Sequence, residues 1–225
     1  AGDFSGTNFA KPPSPAPIAN ADTNVAFVID GADDASVVAA GHLMERGAWV
    51  RVADRPFQFD SRNFPRGSVV ITRKDNPSFA GDLAATIREV CAGLQLTAVG
   101  VRSGRSPGDA PDIGGRHFVL LQPPSIAIVG REPVNASAYG EVWHLVDHVL
   151  GLRAAYVNFQ NLRNADLRRY NVLVIPEGAA TGLADRMETL KAWVNAGGTL
   201  VAIGSSAGAF AKEKDGIGAT RQLPD

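Results

Sequence analysis

The 225-residue chain is long enough for two domains of about 100 residues each. Hydrophobic residues make up 45% of it and charged residues 20%, and the formal net charge is -1. This balance excludes a disordered charged tail and offers no electrostatic surface for a nucleic acid or an anionic membrane, so neither is expected as a partner. The single cysteine, Cys91, excludes an intrachain disulfide framework, and its apolar neighbours indicate a small core residue.

Residues 1–23 are predicted to form a linker. They are rich in Pro, Ala, Asn and Ser, with prolines at positions 12, 13, 15 and 17. Proline neither continues a helix nor pairs within a central strand. The N-terminus also lacks a basic segment leading into an apolar stretch, so the sequence predicts no signal peptide in this chain.

Strand-like and helical segments alternate through a first domain predicted over residues 24–122. Strands are predicted at 25–29, 49–53, 68–72, 97–101 and 117–121, and helices at about 34–46 and 79–94. Such alternation favours a mostly parallel sheet in a three-layer α/β domain. We expect its core to contain Val28, Leu43, Val70 and Ile87.

Pro123-Pro124 marks the start of a second predicted domain, over residues 123–225. Strands are predicted at 126–130, 153–157, 171–176 and 199–203, and the main helices at about 138–150 and 183–196. This pattern predicts a second three-layer α/β domain, of flavodoxin type, with its ligand crevice at the carboxyl ends of the strands. The expected core residues are Val129, Trp143, Val174, Trp193 and Val201.

Three segments of the second half carry a resemblance to a known family: 140–148 (GEVWHLVDH), 166–174 (DLRRYNVLV) and 190–204 (LKAWVNAGGTLVAIG). Together they resemble the C-terminal region of large bacterial proteins of the zinc carboxypeptidase family. In those proteins an α/β segment and a class I glutamine amidotransferase-like domain follow the metallopeptidase domain. Segments of the first half, including 64–68 (FPRGS) and 112–115 (DIGG), fit the α/β segment.

The resemblance implies a non-catalytic accessory region from downstream of the peptidase domain. Such a region would pack on or orient the peptidase domain, or bind the substrate. Its partners would therefore be the upstream peptidase domain of the same protein and a peptide substrate. Zinc would be held in that missing domain, with no cofactor in this fragment, and the parent protein would be a secreted or periplasmic hydrolase.

Two residue pairs, one of His and Glu and one of two histidines, have the spacing of metal ligands. His42 and Glu45 spell His-x-x-Glu, but nothing around them matches the family's zinc loop, so a surface pair on an ordinary helix is expected. His144 and His148 lie four residues apart, a spacing that lets two imidazoles share a metal on a helix. A third ligand is lacking, so a structural or solvated role is favoured and no metal site is predicted.

A nucleophile motif follows the last predicted strand. Residues 204–208 spell Gly-x-Ser-x-Gly, and such small residues leave room for a nucleophile on a tight strand-to-helix turn. Ser206 would be the nucleophile by position, and the Glu177-Gly178 turn would supply a backbone amide to an oxyanion hole. Serine also needs a basic partner. The basic residues that follow it are Lys212, Lys214 and Arg221.

Two alternatives to the accessory region therefore stay open. The first is a serine hydrolase or amidase that uses Ser206. The second is a small-molecule or peptide binding module that uses the crevice at the strand ends. A His or Lys nitrogen within hydrogen-bond distance of the Ser206 hydroxyl would favour the hydrolase.

Overall fold

The computed structural model describes residues 18–20, 22, 25–59, 61–211 and 217. The chain divides into two compact units, with the boundary between Gln122 and Pro123. Most of the predicted linker lies outside the described residues, as do Lys212, Lys214 and Arg221. Among the helices of these ranges, none combines the length and the apolar character needed to span a membrane.

The first unit is built on an antiparallel sheet. Its strands are β1 (Ala26–Ile29), β2 (Arg51–Ala53), β3 (Phe57–Phe59), β4 (Arg62–Phe64), β5 (Val69–Thr72), β6 (Ala98–Val101) and β7 (Phe118–Leu120), and its helices are α1 (Ala35–Glu45) and α2 (Leu83–Gly93). The main sheet has the order β6-β1-β5-β2-β7, and every neighbouring pair in it is antiparallel. The β3 and β4 strands pair separately as a hairpin.

The prediction of a mostly parallel sheet for the first domain is therefore wrong. Its two strand-helix-strand units, β1-α1-β2 and β5-α2-β6, each leave a gap one strand wide, and a strand of the other unit fills that gap. This is the split βαβ arrangement of ferredoxin-like folds. Alternation along the chain is the same whether the two strands of a unit are adjacent or split, so the pattern alone could not distinguish the two sheets.

The three-layer prediction also fails for the first unit, because both of its described helices pack on one face of the sheet. Leu43 of α1 and Ile87 of α2 share a cluster with Phe27 of β1. Val28 and Val70 belong to a second cluster, on the opposite face of the sheet. All four predicted core residues are fully buried, which confirms that part of the prediction.

The β3-β4 hairpin covers the opposite face of the first sheet. Phe57 of β3 stacks on Phe64 of β4 with ring centroids 5.1 Å apart. The same Phe57 ring meets Phe118 of β7 edge-on at 5.0 Å. Offset-stacked and edge-on contacts of this kind add to the gain from burying the aromatic surface. The hairpin thus covers the face that a second helical layer would cover in a three-layer α/β domain.

The second unit is built on the predicted parallel sheet, which is confirmed. Its strands are β8 (Ile126–Gly130), β9 (Ala154–Asn158), β10 (Val172–Ile175) and β11 (Thr199–Ala202), and its α-helices are α3 (Ala136–His144), α4 (Met187–Asn195) and α5 (Ser205–Gly208). The order is β11-β10-β8-β9, with all neighbours parallel. The order reverses between β8 and β10, because the chain first adds β9 on one side of β8 and then β10 on the other.

Two of the predicted core residues of the second unit are exposed. Trp143 is 42% exposed because Val142, one residue or about 100° away around the helix, faces the sheet instead. Val201 is 41% exposed because it lies on the edge strand β11 and on the face opposite to Leu200, which packs into the core. The other three predicted residues, Val129, Val174 and Trp193, are buried.

Candidate functional site

The candidate site lies at the carboxyl ends of β8, β10 and β11. Three loops meet there, formed by residues 131–135, 176–182 and 203–206. In open α/β sheets, ligands bind outside the carboxyl ends of the strands where the strand order reverses. Glu177 and Gly178, which were singled out from the sequence, belong to the second loop, and Ser206 lies where the third loop continues into α5.

The sharp turn between β11 and α5 falls on Gly204 rather than on Ser206. Gly204 has φ 57° and ψ -135°, a conformation that glycine adopts readily and other residues adopt only under strain. In a nucleophile elbow, the nucleophile itself occupies the strained position between strand and helix. The residue at that position of this chain has no side chain.

The side chain of Glu177 fills the space beside Gly204. A Cβ atom added at Gly204 would lie 3.1 Å from Cδ of Glu177 and 3.2 Å from its Cβ and Cγ atoms. These distances are shorter than ordinary van der Waals contacts. A nucleophile at position 204 would therefore require Glu177 to move.

Ser206 is fully buried and its hydroxyl is committed to the backbone. Its Oγ donates a hydrogen bond to the carbonyl oxygen of Pro176 at 2.7 Å and accepts one from the N–H of Ala179 at 3.0 Å. Within the described part of the chain, both of its hydrogen-bond partners are thus backbone atoms. Through these two hydrogen bonds the hydroxyl holds α5 against the turn after β10, which is a structural role.

The backbone amide of Gly178, expected from the sequence to serve an oxyanion hole, is also occupied, and so is the amide of the next residue. The N–H of Gly178 donates to Oγ of Ser205 at 3.2 Å, and the N–H of Ala179 donates to Oγ of Ser206. An oxyanion hole requires donors aimed at the position where negative charge develops on the substrate. The two serine hydroxyls of the motif take up these donors instead.

The crevice between the ends of β8 and β10 is closed by direct backbone contact. The N–H of Asn135 donates to the carbonyl oxygen of Glu177 at 2.9 Å. A Cβ atom added at Gly178 would lie 2.6 Å from the carbonyl oxygen of Pro133 and 2.8 Å from the nitrogen of Asn135. Glycine at position 178 is therefore what allows the two loops to meet, and their contact closes the space between the ends of these two strands.

The two pairs with metal-ligand spacing lie in different units. His42 and Glu45 belong to α1 of the first unit. In the second unit, the rings of His144 and His148 have centroids 5.0 Å apart, and a carboxylate oxygen of Asp147 lies 3.8 Å from Nε2 of His148. Over the described ranges, no group of three or more His, Cys, Asp and Glu residues is arranged to hold a metal ion.

Cys91 lies in α2 and is 1% exposed. Burial raises the pKa of its thiol to about 11. The thiol is therefore protonated at neutral pH and is a poor nucleophile, because the thiolate is the reactive form. Its environment agrees with the core role expected from the sequence.

One feature of the first unit was not predicted from the sequence. Trp49, expected inside a strand, lies before β2 and is 57% exposed. The buried amide of Asn76 holds its backbone, because Oδ1 accepts from the N–H of Trp49 at 2.8 Å and Nδ2 donates to its carbonyl oxygen at 2.9 Å. No local sequence signal joins residues that are 27 positions apart.

No protein-family model, no curated protein and no solved structure matches the chain. The family resemblance therefore depends on the sequence alone, chiefly on segments 140–148, 166–174 and 190–204. The geometry of the loops at the carboxyl ends of the strands is independent of that resemblance.

Proposed function

We propose that the chain is a non-catalytic accessory region of a zinc carboxypeptidase-like metallopeptidase. The observation that carries this proposal is the elbow after β11, where the strained position is Gly204 and the side chain of Glu177 fills the adjacent space. An elbow that lacks a nucleophilic side chain cannot form a covalent intermediate. The second unit then serves as a packing or binding domain.

The parallel sheet supports a flavodoxin-type, amidotransferase-like second unit. When the strands of this unit are numbered along the chain, their order across the sheet is second, first, third, fourth. The flavodoxin-type sheet begins with the same order. The resemblance adds that class I amidotransferase-like folds carry their nucleophile, usually cysteine, on an elbow after a strand. In this proposal the elbow of the chain is an inherited feature that has lost its catalytic role.

The accessory region acts on the peptidase domain of its own protein. It packs on that domain, orients it, or binds part of its peptide substrate, and the zinc stays in the peptidase domain. The parent protein is secreted or periplasmic in this proposal, as the resemblance implies. The near-neutral net charge of -1 supports a protein partner over a nucleic acid.

The two alternative functions have less support from the geometry. A serine hydrolase would need the Ser206 hydroxyl to be accessible, whereas it is buried and bonded to Pro176 and Ala179. A module that binds its ligand between β8 and β10 would need the crevice that Gly178 and Pro133 close. Neither is therefore proposed as the function.

Metal content and the upstream reading frame test the accessory role together. The frame before Ala1 should encode a zinc peptidase domain with a His-x-x-Glu pair and a distant His. Elemental analysis should find one zinc per chain in the full protein and no stoichiometric zinc in residues 1–225 alone. Neither His42 with Glu45 nor His144 with His148 has a third ligand among the described residues, and zinc needs at least three. An upstream frame without such a domain, or one tightly held zinc in residues 1–225, would contradict the proposal.

A further inference from the structure

A cleft of about 430 Å³ opens beside Trp49 in the first unit. We call it the Trp49 cleft. Its lining includes Arg46, Trp49, Asn76, Pro77, Ser78 and Phe79. It is separate from the carboxyl-end loops described above, which belong to the second unit.

Trp49 has the properties of a preorganised anchor. Its side chain is largely exposed, so a ligand that covers the indole would remove a large apolar surface from water. Its backbone is fixed by two hydrogen bonds to the amide of Asn76, which is itself 8% exposed. The indole is thus presented from a fixed stretch of backbone, and tryptophan is enriched among the residues that dominate binding energy.

The side chains of Asn76 and Asp75, in the wall of the cleft, already make hydrogen bonds within the protein. The Asn76 amide bonds to Trp49 and also donates to the carbonyl oxygen of Thr72 at 2.8 Å. The Asp75 carboxylate accepts two bonds from Arg51, at 2.7 and 2.9 Å, and one from the Thr72 hydroxyl at 2.6 Å. The bond from Arg51 is the main reason that the pKa of Asp75 lies below its ordinary value.

These commitments favour an apolar ligand group over a sugar. A sugar ring needs several donors and acceptors beside the aromatic surface, because its hydroxyls must exchange their bonds to water for bonds to protein. The Trp49 cleft instead offers the indole, the Phe79 ring and the Pro77 ring. Such surfaces suit a large apolar side chain of a peptide.

A cation stands at the rim of the same cleft. Arg46 makes one 3.1 Å contact with Glu89, and the two side chains are 41% and 71% exposed. Exposed ion pairs of this kind contribute little to stability. A ligand carboxylate that receives two hydrogen bonds from the guanidinium would replace Glu89 with better geometry.

We propose that the Trp49 cleft binds a peptide segment in which a large apolar side chain lies next to a carboxylate. The apolar side chain packs against Trp49 and Phe79, and the carboxylate pairs with Arg46. This inference deepens the substrate-binding part of the proposed function and rests on it for its biological context. The carboxylate is either the C-terminus of the peptide or an acidic side chain.

Isothermal titration calorimetry on the 225-residue chain tests this site with three defined peptides. The first is an N-acetylated alanine peptide that ends in phenylalanine with a free carboxylate, and the second is its C-terminal amide. The third is an amide that ends in phenylalanine followed by aspartate. We expect saturable binding of the first peptide and at least fivefold weaker binding of the second. If the third peptide binds as tightly as the first, the site accepts any carboxylate next to the apolar side chain. If the third peptide binds more weakly, the site requires the carboxylate of a chain terminus.

Three variants locate the binding site. Trp49→Ala should lower the affinity for the first peptide at least tenfold. Trp143→Ala removes an exposed tryptophan of the second unit and should leave the affinity for that peptide unchanged. Arg46→Gln should lower the affinity for the first peptide several-fold and leave the affinity for the second peptide, its C-terminal amide, unchanged. Circular dichroism checks that each variant is folded, and Arg46 is exposed enough to be replaced without loss of the fold.

The inference is overturned if none of the peptides binds saturably, if Trp49→Ala binds as tightly as the wild type, or if acid and amide bind equally. Saturable binding of a neutral chitin tetrasaccharide in place of the peptides would overturn it as well. Each of these results would leave the zinc and reading-frame tests untouched. Failure of the cleft can therefore be distinguished from failure of the accessory role.

Discussion

Replacing Phe57 with alanine should lower the free energy of unfolding by about 3–5 kcal/mol, the usual cost of removing a buried phenylalanine ring. Phe57 is 3% exposed and contacts Phe64 and Phe118, so the change leaves a cavity between the hairpin and the sheet. Chemical denaturation followed by circular dichroism measures the loss. A loss below about 1 kcal/mol would show that the hairpin does not cover this face.

Val119→Ala is the matched control for Phe57→Ala. Val119 follows Phe118 on β7 and is 49% exposed. Truncating an exposed side chain of this kind usually changes stability by no more than about 0.5 kcal/mol. The difference between the two variants therefore measures the hairpin core rather than a general weakening of β7.

Replacing Gly178 with alanine should cost about 3 kcal/mol or more. Gly178 has φ 105°, and a left-handed conformation alone costs an L-residue about 1–2 kcal/mol. The new Cβ would also lie 2.6 Å from the carbonyl oxygen of Pro133, a backbone atom that can give way only if its loop moves. The same denaturation experiment measures this loss.

Gly197→Ala separates the two contributions. Gly197 has nearly the same φ, 103°, but no atom lies within 4 Å of the position that its Cβ would take. Its replacement should therefore cost only the conformational penalty of about 1–2 kcal/mol. Equal losses for Gly178→Ala and Gly197→Ala would contradict the closed crevice between the ends of β8 and β10.

The sequence predicted the buried strands better than their pairing. Val28 and Val70 lie in short apolar runs, which are typical of buried strands, and both are buried. Their strands nevertheless pair antiparallel, and β5 lies between β1 and β2. The alternation of strands and helices along the chain does not indicate which strand lies between β1 and β2.

The sequence also predicted where the elbow lies but not which residue takes the strained conformation. The Gly-x-Ser-x-Gly spacing placed the turn after β11, where it is found. The strained position falls on Gly204, two residues before the serine that the motif suggests. The partners of Ser206, at Pro176 and Ala179, are 30 and 27 positions away, so the structural role of its hydroxyl depends on contacts that a local motif cannot reveal.

Reaction with a fluorophosphonate probe tests most directly whether this elbow is inactive. Such a probe phosphonylates an activated serine whatever the natural substrate is, and intact-protein mass spectrometry detects the adduct. We expect no adduct on the wild-type chain or on the Ser205→Ala and Ser206→Ala variants, because Gly204 carries no nucleophile and the Ser206 hydroxyl is buried and bonded to the backbone. A stoichiometric adduct on the wild type that disappears in Ser206→Ala would contradict the non-catalytic role and favour a serine hydrolase.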